Sequence, residues 1–268
     1  MPGEFPPPPP RIFFGRDELI EEVVDLAEKL TPIALIGVGG IGKTSIALTV
    51  LHHHRIKQRF GYNRRFIRCD RFPASSAHLL QQLSDITGAG VQNPENMALL
   101  RGFLSSKEML IVLDCVEYIL DPQGADVQEI YAVVEELSRF SNICVCITSR
   151  ISTTPPDYKR LGVSTLSMDA ARDTFYRIYD SDADRLDMVD RILEELNFHP
   201  FSINWLATTA RHNRWDMSRL SREWEQRQTG VLRTQHNATI ELSLHQEKHS
   251  PVISCLRLEF SRNHVKSL

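Results

Sequence analysis

No stretch of this 268-residue chain approaches the ~20 consecutive apolar residues of a membrane span. The first ten residues are proline-rich and lack the apolar centre of a signal peptide. Cysteine is scarce. The five present, Cys69, Cys115, Cys144, Cys146 and Cys255, are too few and too scattered for a disulfide framework. Four of them fall in apolar, strand-like runs, where a reduced cysteine serves as a small hydrophobe. A large charge excess is also missing: the formal net charge is −3, so no global field draws the chain to nucleic acid or anionic lipid. These absences lead us to expect a cytoplasmic protein with neither a membrane nor a nucleic acid as partner. Internal repeats are not visible either.

What is present begins with the proline run Pro6–Pro10, which is stiff and extended and makes residues 1–10 a linker. A helix over Arg16–Leu30 follows, with Leu19, Ile20, Val23, Val24, Ala27 and Leu30 at helical spacing. From Pro32 short apolar runs alternate with helical stretches. The expected strands are Ile33–Gly37, Phe66–Cys69, Met109–Asp114, Ile143–Thr148 and Val163–Ser167. The expected helices between them are Lys43–Arg59, Ser75–Thr87, one starting at Asn93-Pro94, and Val127–Phe140. Strands separated by helices pair in parallel and are covered on both faces, and MLIVL and ICVCIT suit strands buried on both sides. Beyond Met168 only helices are expected: Asp169–Tyr179, Arg185–Leu196, Pro200–Arg211 and Asp216–Gln228. The chain thus divides into a sheet domain over 11–167, a small helical domain over 168–230, and an incomplete region over 231–268.

The chemistry sits in Gly37-Val38-Gly39-Gly40-Ile41-Gly42-Lys43-Thr44, a match to GxxxxGK[ST]. Four fixed positions arise by chance in roughly one chain in a hundred of this length, and here the motif follows an apolar strand and opens a helix, as a P-loop must. Its glycines let successive backbone N–H groups converge on a phosphate at the positive end of the helix dipole. Lys43 would bridge β- and γ-phosphates, and Thr44 would ligate Mg²⁺. Asp114 closes an apolar strand at the carboxyl edge of the sheet and supplies the second metal-side oxygen. Many hydrolytic P-loop proteins carry an acid at the next position, to orient or deprotonate water. This chain has Cys115 there, with Glu117 as the nearest substitute. Arg150, at the end of Thr148-Ser149-Arg150, is placed to report a γ-phosphate. The expected cofactors are ATP or ADP with Mg²⁺.

Other patterns fail as sites. His52, His53 and His54 are consecutive on a helix and point three ways. Asp180-x-Asp182-x-Asp184 starts like a calcium loop but has Arg185 at its sixth position and Arg191 at its twelfth. Cys144 and Cys146 share one strand face and belong to the core. Asn237-Ala238-Thr239 matches a glycosylation acceptor, which has no meaning in a cytosolic chain. The basic run Arg55–Arg71 reads as a solvated helix end and loop, with a partner surface as the second option.

With these residues in place, the chain resembles STAND-type NTPases of the NB-ARC/NACHT kind, and within them the nucleotide-binding regions of fungal NOD-like receptor proteins. Phe14-Gly15-Arg16 stands where the family carries a Gly-Arg motif over the base and ribose. Gly37–Ser45 resembles GxGGIGKT[ST], Leu110–Asp114 the Walker B strand, and Thr148–Arg150 the sensor strand ending T-[ST]-R. Asn197–Phe201 is similar to the motif whose proline packs near adenine, which makes Pro200 the candidate. The resemblance implies a five-stranded parallel sheet of order 5-1-4-3-2 and an α/β P-loop fold closed by a helical domain. It also implies an ATP/ADP switch in signalling or innate defence, with a homo-oligomer in the triphosphate state. The family continues into a winged helix, and Thr239–Leu244 resembles its start. Cys115 departs from the family pattern and makes hydrolysis slow or absent on this reading. Two other classes stay open: an active P-loop enzyme, ATPase or small-molecule kinase, and an initiator-type ATPase that handles nucleic acid.

Overall fold

A computed structural model describes residues 6–92, 97–120, 126–151, 154–180 and 186–227. The expected helix start at Asn93-Pro94, the centre of the calcium-like loop, Asn237, Cys255 and the region 231–268 lie outside the described residues. The chain forms two compact units. The first comprises the chain up to Arg11, Arg16–Val38 and Lys43–Val163; the second comprises Ile12–Gly15, Gly39–Gly42 and the chain from Ser164.

The first unit is built on five parallel strands: β1 (Ile33–Ile36), β2 (Arg64–Arg68), β3 (Met109–Asp114), β4 (Ile143–Ser149) and β5 (Lys159–Gly162). Their order is β2-β3-β4-β1-β5, as the family resemblance implies. Strands β3 and β4 are buried along their whole length, because each has neighbours on both edges and helices on both faces. Their unbroken apolar sequences follow from that position. Register brings the ends of β1 and β4 together, with Ile36 beside Ser149, and sets Leu113 of β3 beside Ile147 of β4. The carboxyl ends of the three central strands therefore form one short edge, where ligands bind in open α/β sheets.

Around the sheet lie α1 (Asp17–Glu28), α2 (Lys43–His52), α3 (His54–Phe60), α4 (Ser76–Thr87), α5 (Arg101–Leu104) and α6 (Val127–Ser138). Leu79 and Leu83 of α4 and Val134 and Leu137 of α6 share a core with Ile111 of β3 and Val145 of β4. Helix α1 buries Ile20, Val23, Val24 and Ala27, its apolar stripe at i, i+3, i+4 and i+7.

Three expectations are corrected. The helix expected over Lys43–Arg59 breaks into α2 and α3, because His53 takes an extended conformation with ψ 142°. The three histidines therefore do not lie on one continuous helix. The last strand is Lys159–Gly162 and not Val163–Ser167. It is an edge strand with Lys159, Arg160 and Gly162 exposed, so its sequence carries no apolar run. The basic run is solvated only in part: Lys57, Arg59, Arg68 and Arg71 are exposed, yet most of its arginines also hold partners within the unit. Arg55 pairs with Glu21, Asp25 and Glu28 of α1, and Arg59 reaches Glu108 and the Glu28 carbonyl. Arg64 donates to the carbonyls of Leu51 and Gly61, Arg65 to those of Ile86 and Tyr62, and Arg68 forms a forked pair with Asp70.

The second unit contains α7 (Met168–Tyr179), α8 (Leu186–Glu195), α9 (Pro200–His212) and α10 (Met217–Arg227). Ser167 caps α7 by accepting from the Ala170 N–H at 3.2 Å. Phe175, Leu193, Ile203, Leu206, Leu220 and Trp224 share its core, and the Trp224 indole donates to Glu195 at 2.7 Å. Ile12 and Phe14 pack against the same core. Among the described residues no helix is long and apolar enough to cross a membrane.

Truncating Ile111, fully buried in β3, to alanine should lower unfolding free energy by about 3 kcal/mol through lost contact and a cavity. The same truncation at Leu99, 50% exposed, should stay within about 0.5 kcal/mol of wild type. Urea denaturation of both variants checks the contrast.

Candidate nucleotide-binding site

The loop Gly37–Gly42 leaves β1 and turns into α2 at Lys43. Gly40 and Gly42 have φ of +74° and +104°, values that side chains disfavour. Space also demands glycine at position 40: an added Cβ would lie 2.9 Å from the Phe201 Cβ and 3.0 Å from the His199 ring. Ile41 is buried, whereas Val38 is exposed.

The Lys43 ammonium folds back over the loop and donates to the Gly37 carbonyl at 2.7 Å and the Val38 carbonyl at 2.9 Å. Burial lowers its pKa; Glu117 opposes that shift, Arg150 adds to it, and Cys115 and Asp114 oppose it. Thr44, one residue on, donates its hydroxyl to Asp114 Oδ1 at 2.8 Å. The Ser45 carbonyl accepts from the Thr49 hydroxyl inside α2.

Asp114 is 1% exposed, and the same Oδ1 accepts a second hydroxyl, that of Thr148 on β4, at 2.7 Å. The Cys115 N–H in turn donates to Thr148 Oγ1 at 2.9 Å, with Cys115 held at φ +61°. Burial, then the charges of Asp114 and Glu117, push the Cys115 thiol up, so it stays protonated and cannot serve as a base. Glu117 sits in a short 3-10 turn, Val116–Tyr118, directly after β3. Its carboxylate oxygens are out of reach of solvent. One lies 3.1 Å from Arg150 Nε in an ion pair. Burial raises the Glu117 pKa, while its own backbone N–H, the charges of Lys43 and Arg150, and the Arg150 N–H pull it back.

The first unit thus brings together Gly37, Val38, Lys43, Thr44, Asp114, Glu117 and Arg150. Arg16 lies in the same unit at the head of α1, buried, with its pKa lowered by that burial. Phe14, Gly15, Gly39, Gly40, Ile41, Gly42 and Pro200 belong to the second unit. Gly15, at φ +68°, leaves no room for a side chain: an added Cβ would stand 2.3 Å from that of Ala170. Pro200 occupies the first turn of α9, and His199 before it places Nε2 3.0 Å from the Gly39 carbonyl. The sequence shows Thr148 only as part of a strand-end motif, without its bond to Asp114; within the second unit, it shows His199 only as the neighbour of a proline.

The oxygens of Thr44 and Asp114 form a hard donor set that fits Mg²⁺, which takes few protein ligands and fills its octahedron with phosphate and water. Among the described residues no cluster of three or more His, Cys, Asp or Glu could hold a metal by itself.

The family model described as Novel STAND NTPase 1 matches residues 4–161. A disease resistance protein of Arabidopsis thaliana is 36% identical over 44 residues, which is 16% of this chain and 5% of that protein. Among solved structures, the Walker-type ATPase of Pyrococcus abyssi aligns with TM-score 0.60 at 14% identity, covering 91% of this chain and 79% of that one. Drosophila ORC bound to DNA aligns with TM-score 0.61 at 14% identity, over 81% and 62% of the two chains. A STAND protein with a tetratricopeptide repeat sensor from Pyrococcus horikoshii aligns with TM-score 0.51 at 15% identity, over 77% and 32%. These likenesses establish the P-loop NTPase fold. They also overturn the expectation that nucleic acid is excluded as a partner, because the same fold occurs in a complex bound to DNA. A modest net charge does not decide that question, since binding depends on local surfaces.

Two predictions follow from the Asp114 network and Glu117. Thr148→Val should cost about 2 kcal/mol of stability, because it removes one donor from a buried carboxylate and the acceptor of the Cys115 N–H. Thr148→Ser should restore most of it in chemical denaturation. A carboxyl group whose folded pKa is raised contributes stability in full below its unfolded value and loses it as pH rises through the folded one. The stability of the wild type relative to Glu117→Gln should therefore fall as pH rises from the ordinary glutamate value of 4.5. Thermal melts across the pH range measure that slope.

Proposed function

The chain belongs to the Novel STAND NTPase 1 family, and we propose that its P-loop binds ATP or ADP with Mg²⁺ and hydrolyses ATP slowly. The observation that carries this reading is the convergence of Lys43, Thr44, Asp114, Glu117 and Arg150 at one edge of the sheet. An incoming triphosphate offers Lys43 phosphate oxygens in place of the Gly37 and Val38 carbonyls. The Thr44 hydroxyl already directs its proton at Asp114, which leaves its lone pairs outward for a metal. Mg²⁺, when bound, would neutralise charge on the phosphate oxygens.

In hydrolysis a water oxygen forms a bond to the γ-phosphorus as the bond to the β–γ bridging oxygen breaks and ADP leaves. Cys115 cannot take the proton of that water, and Glu117 is the carboxylate available to orient it and accept the proton. Arg150 meets the charge on the γ-phosphate. This assignment favours an active ATPase over a site that only grips nucleotide. By resemblance to the family motifs, Phe14, Gly15, Arg16 and Pro200 would serve the base side of the nucleotide, with a nucleotide-binding domain over 11–167 and a helical domain over 168–230. A signalling switch of the NB-ARC/NACHT kind is the finer version of the same reading, with the ion pair of Arg150 as its support.

A second reading is an initiator-type ATPase that handles nucleic acid. The fold shared with DNA-bound Drosophila ORC favours it. Fluorescence anisotropy with labelled duplex and single-stranded DNA, with and without ATP, separates the two.

Lys43→Ala should abolish nucleotide binding while leaving the fold intact. Asp114→Asn should lower ATP turnover by about 100-fold through loss of metal-side charge. Unchanged nucleotide affinity in Lys43→Ala, measured by calorimetry, would defeat the proposal.

A further inference from the structure

We infer that Glu117 also sets the preference of this site for a triphosphate over a diphosphate, by competing with the γ-phosphate for Arg150. The inference rests on the proposed nucleotide site and deepens it. Two cations, Lys43 and Arg150, face two carboxylates, Asp114 and Glu117, so their charges balance before any ligand arrives. They are not interchangeable in their contacts. Lys43 is turned toward the Gly37 and Val38 carbonyls, and Asp114 is satisfied by two hydroxyls. Glu117 has Arg150 as its ion-pair partner at 3.1 Å, and the backbone N–H groups of Glu117 and Arg150 add support to its carboxylate.

Side-chain exposure is 26% for Arg150 and 12% for Glu117, so solvent screens the pair only in part. A γ-phosphate brings a more concentrated negative charge to the same guanidinium, and Arg150 must turn from the carboxylate to meet it. A diphosphate lacks that group and leaves the pair as it stands. The cost of breaking the pair therefore falls on triphosphate binding alone, and it lowers the selectivity that Arg150 would otherwise confer.

Calorimetric titration with ADP and with a non-hydrolysable ATP analogue, both with Mg²⁺, tests this. The proteins are wild type, Glu117→Gln, Arg150→Gln and the double variant, each checked for native circular dichroism. Glu117→Gln should bind the analogue about fivefold more tightly, the scale of a partly screened ion pair, and ADP unchanged. In the Arg150→Gln background the same substitution should have no effect. Tightening that persists without Arg150, tightening of both nucleotides, or no tightening overturns the inference and points to simple charge repulsion or a structural role. Should Arg150→Gln leave Glu117 without a counter-charge and prevent folding, the double variant carries the comparison. Its affinity for the analogue should fall below wild type, and a rise equal to that of Glu117→Gln alone would overturn the inference. A wild type that binds neither nucleotide overturns the site itself and this inference with it, whereas an unchanged ratio in a wild type and variant that both bind overturns the inference alone.

Discussion

The buried carboxylate of Asp114 is the contact on which the rest of the site depends. One of its oxygens accepts a hydroxyl from Thr44 at the start of α2 and another from Thr148 near the end of β4. Three elements far apart in sequence are thereby fixed at one point. A carboxylate this deeply buried is costly unless hydrogen-bonded, so the network contributes to stability as well as to the arrangement of the proposed site. The strand order makes it possible. With β4 between β3 and β1, the hydroxyl, the carboxylate and the phosphate loop all arrive at the same carboxyl edge.

Charge is distributed around that point in a way composition could not reveal. In the basic run, Arg55, Arg59, Arg64, Arg65 and Arg68 hold partners within the first unit, namely acids of α1, Glu108, Asp70 and backbone carbonyls, while Lys57 and Arg71 are exposed. The cations that act on Glu117 are instead Lys43 and Arg150, distant in sequence. Cys115 is a bystander in this field, and its backbone N–H matters more than its thiol. Glu117, three residues past Asp114, occupies a turn that returns a carboxylate to the site where the adjacent position holds none.

Much of this was legible because it is local. An apolar strand, a glycine-rich loop and a lysine opening a helix are contiguous in sequence, and β3 and β4 announce themselves by unbroken apolar runs. Strand order came from family resemblance, since no residue pattern states which strands are neighbours. Strand β5 escaped because an edge strand with exposed Lys159 and Arg160 has no apolar signature. The break at His53 escaped because the apolar spacing continues across it into Ile56 and Phe60. The pairing of Glu117 with Arg150 and the second hydroxyl on Asp114 bridge more than thirty residues and exist only once the sheet is assembled.

The central claim is that this edge of the sheet holds a nucleoside phosphate on the P-loop with Mg²⁺ beside Asp114. Equilibrium dialysis of the wild-type chain with radiolabelled ATP and ADP tests it most directly. The account predicts saturation at about one nucleotide per chain, weakened when Mg²⁺ is chelated. Absence of saturable binding for both nucleotides, by protein with native circular dichroism, would contradict it.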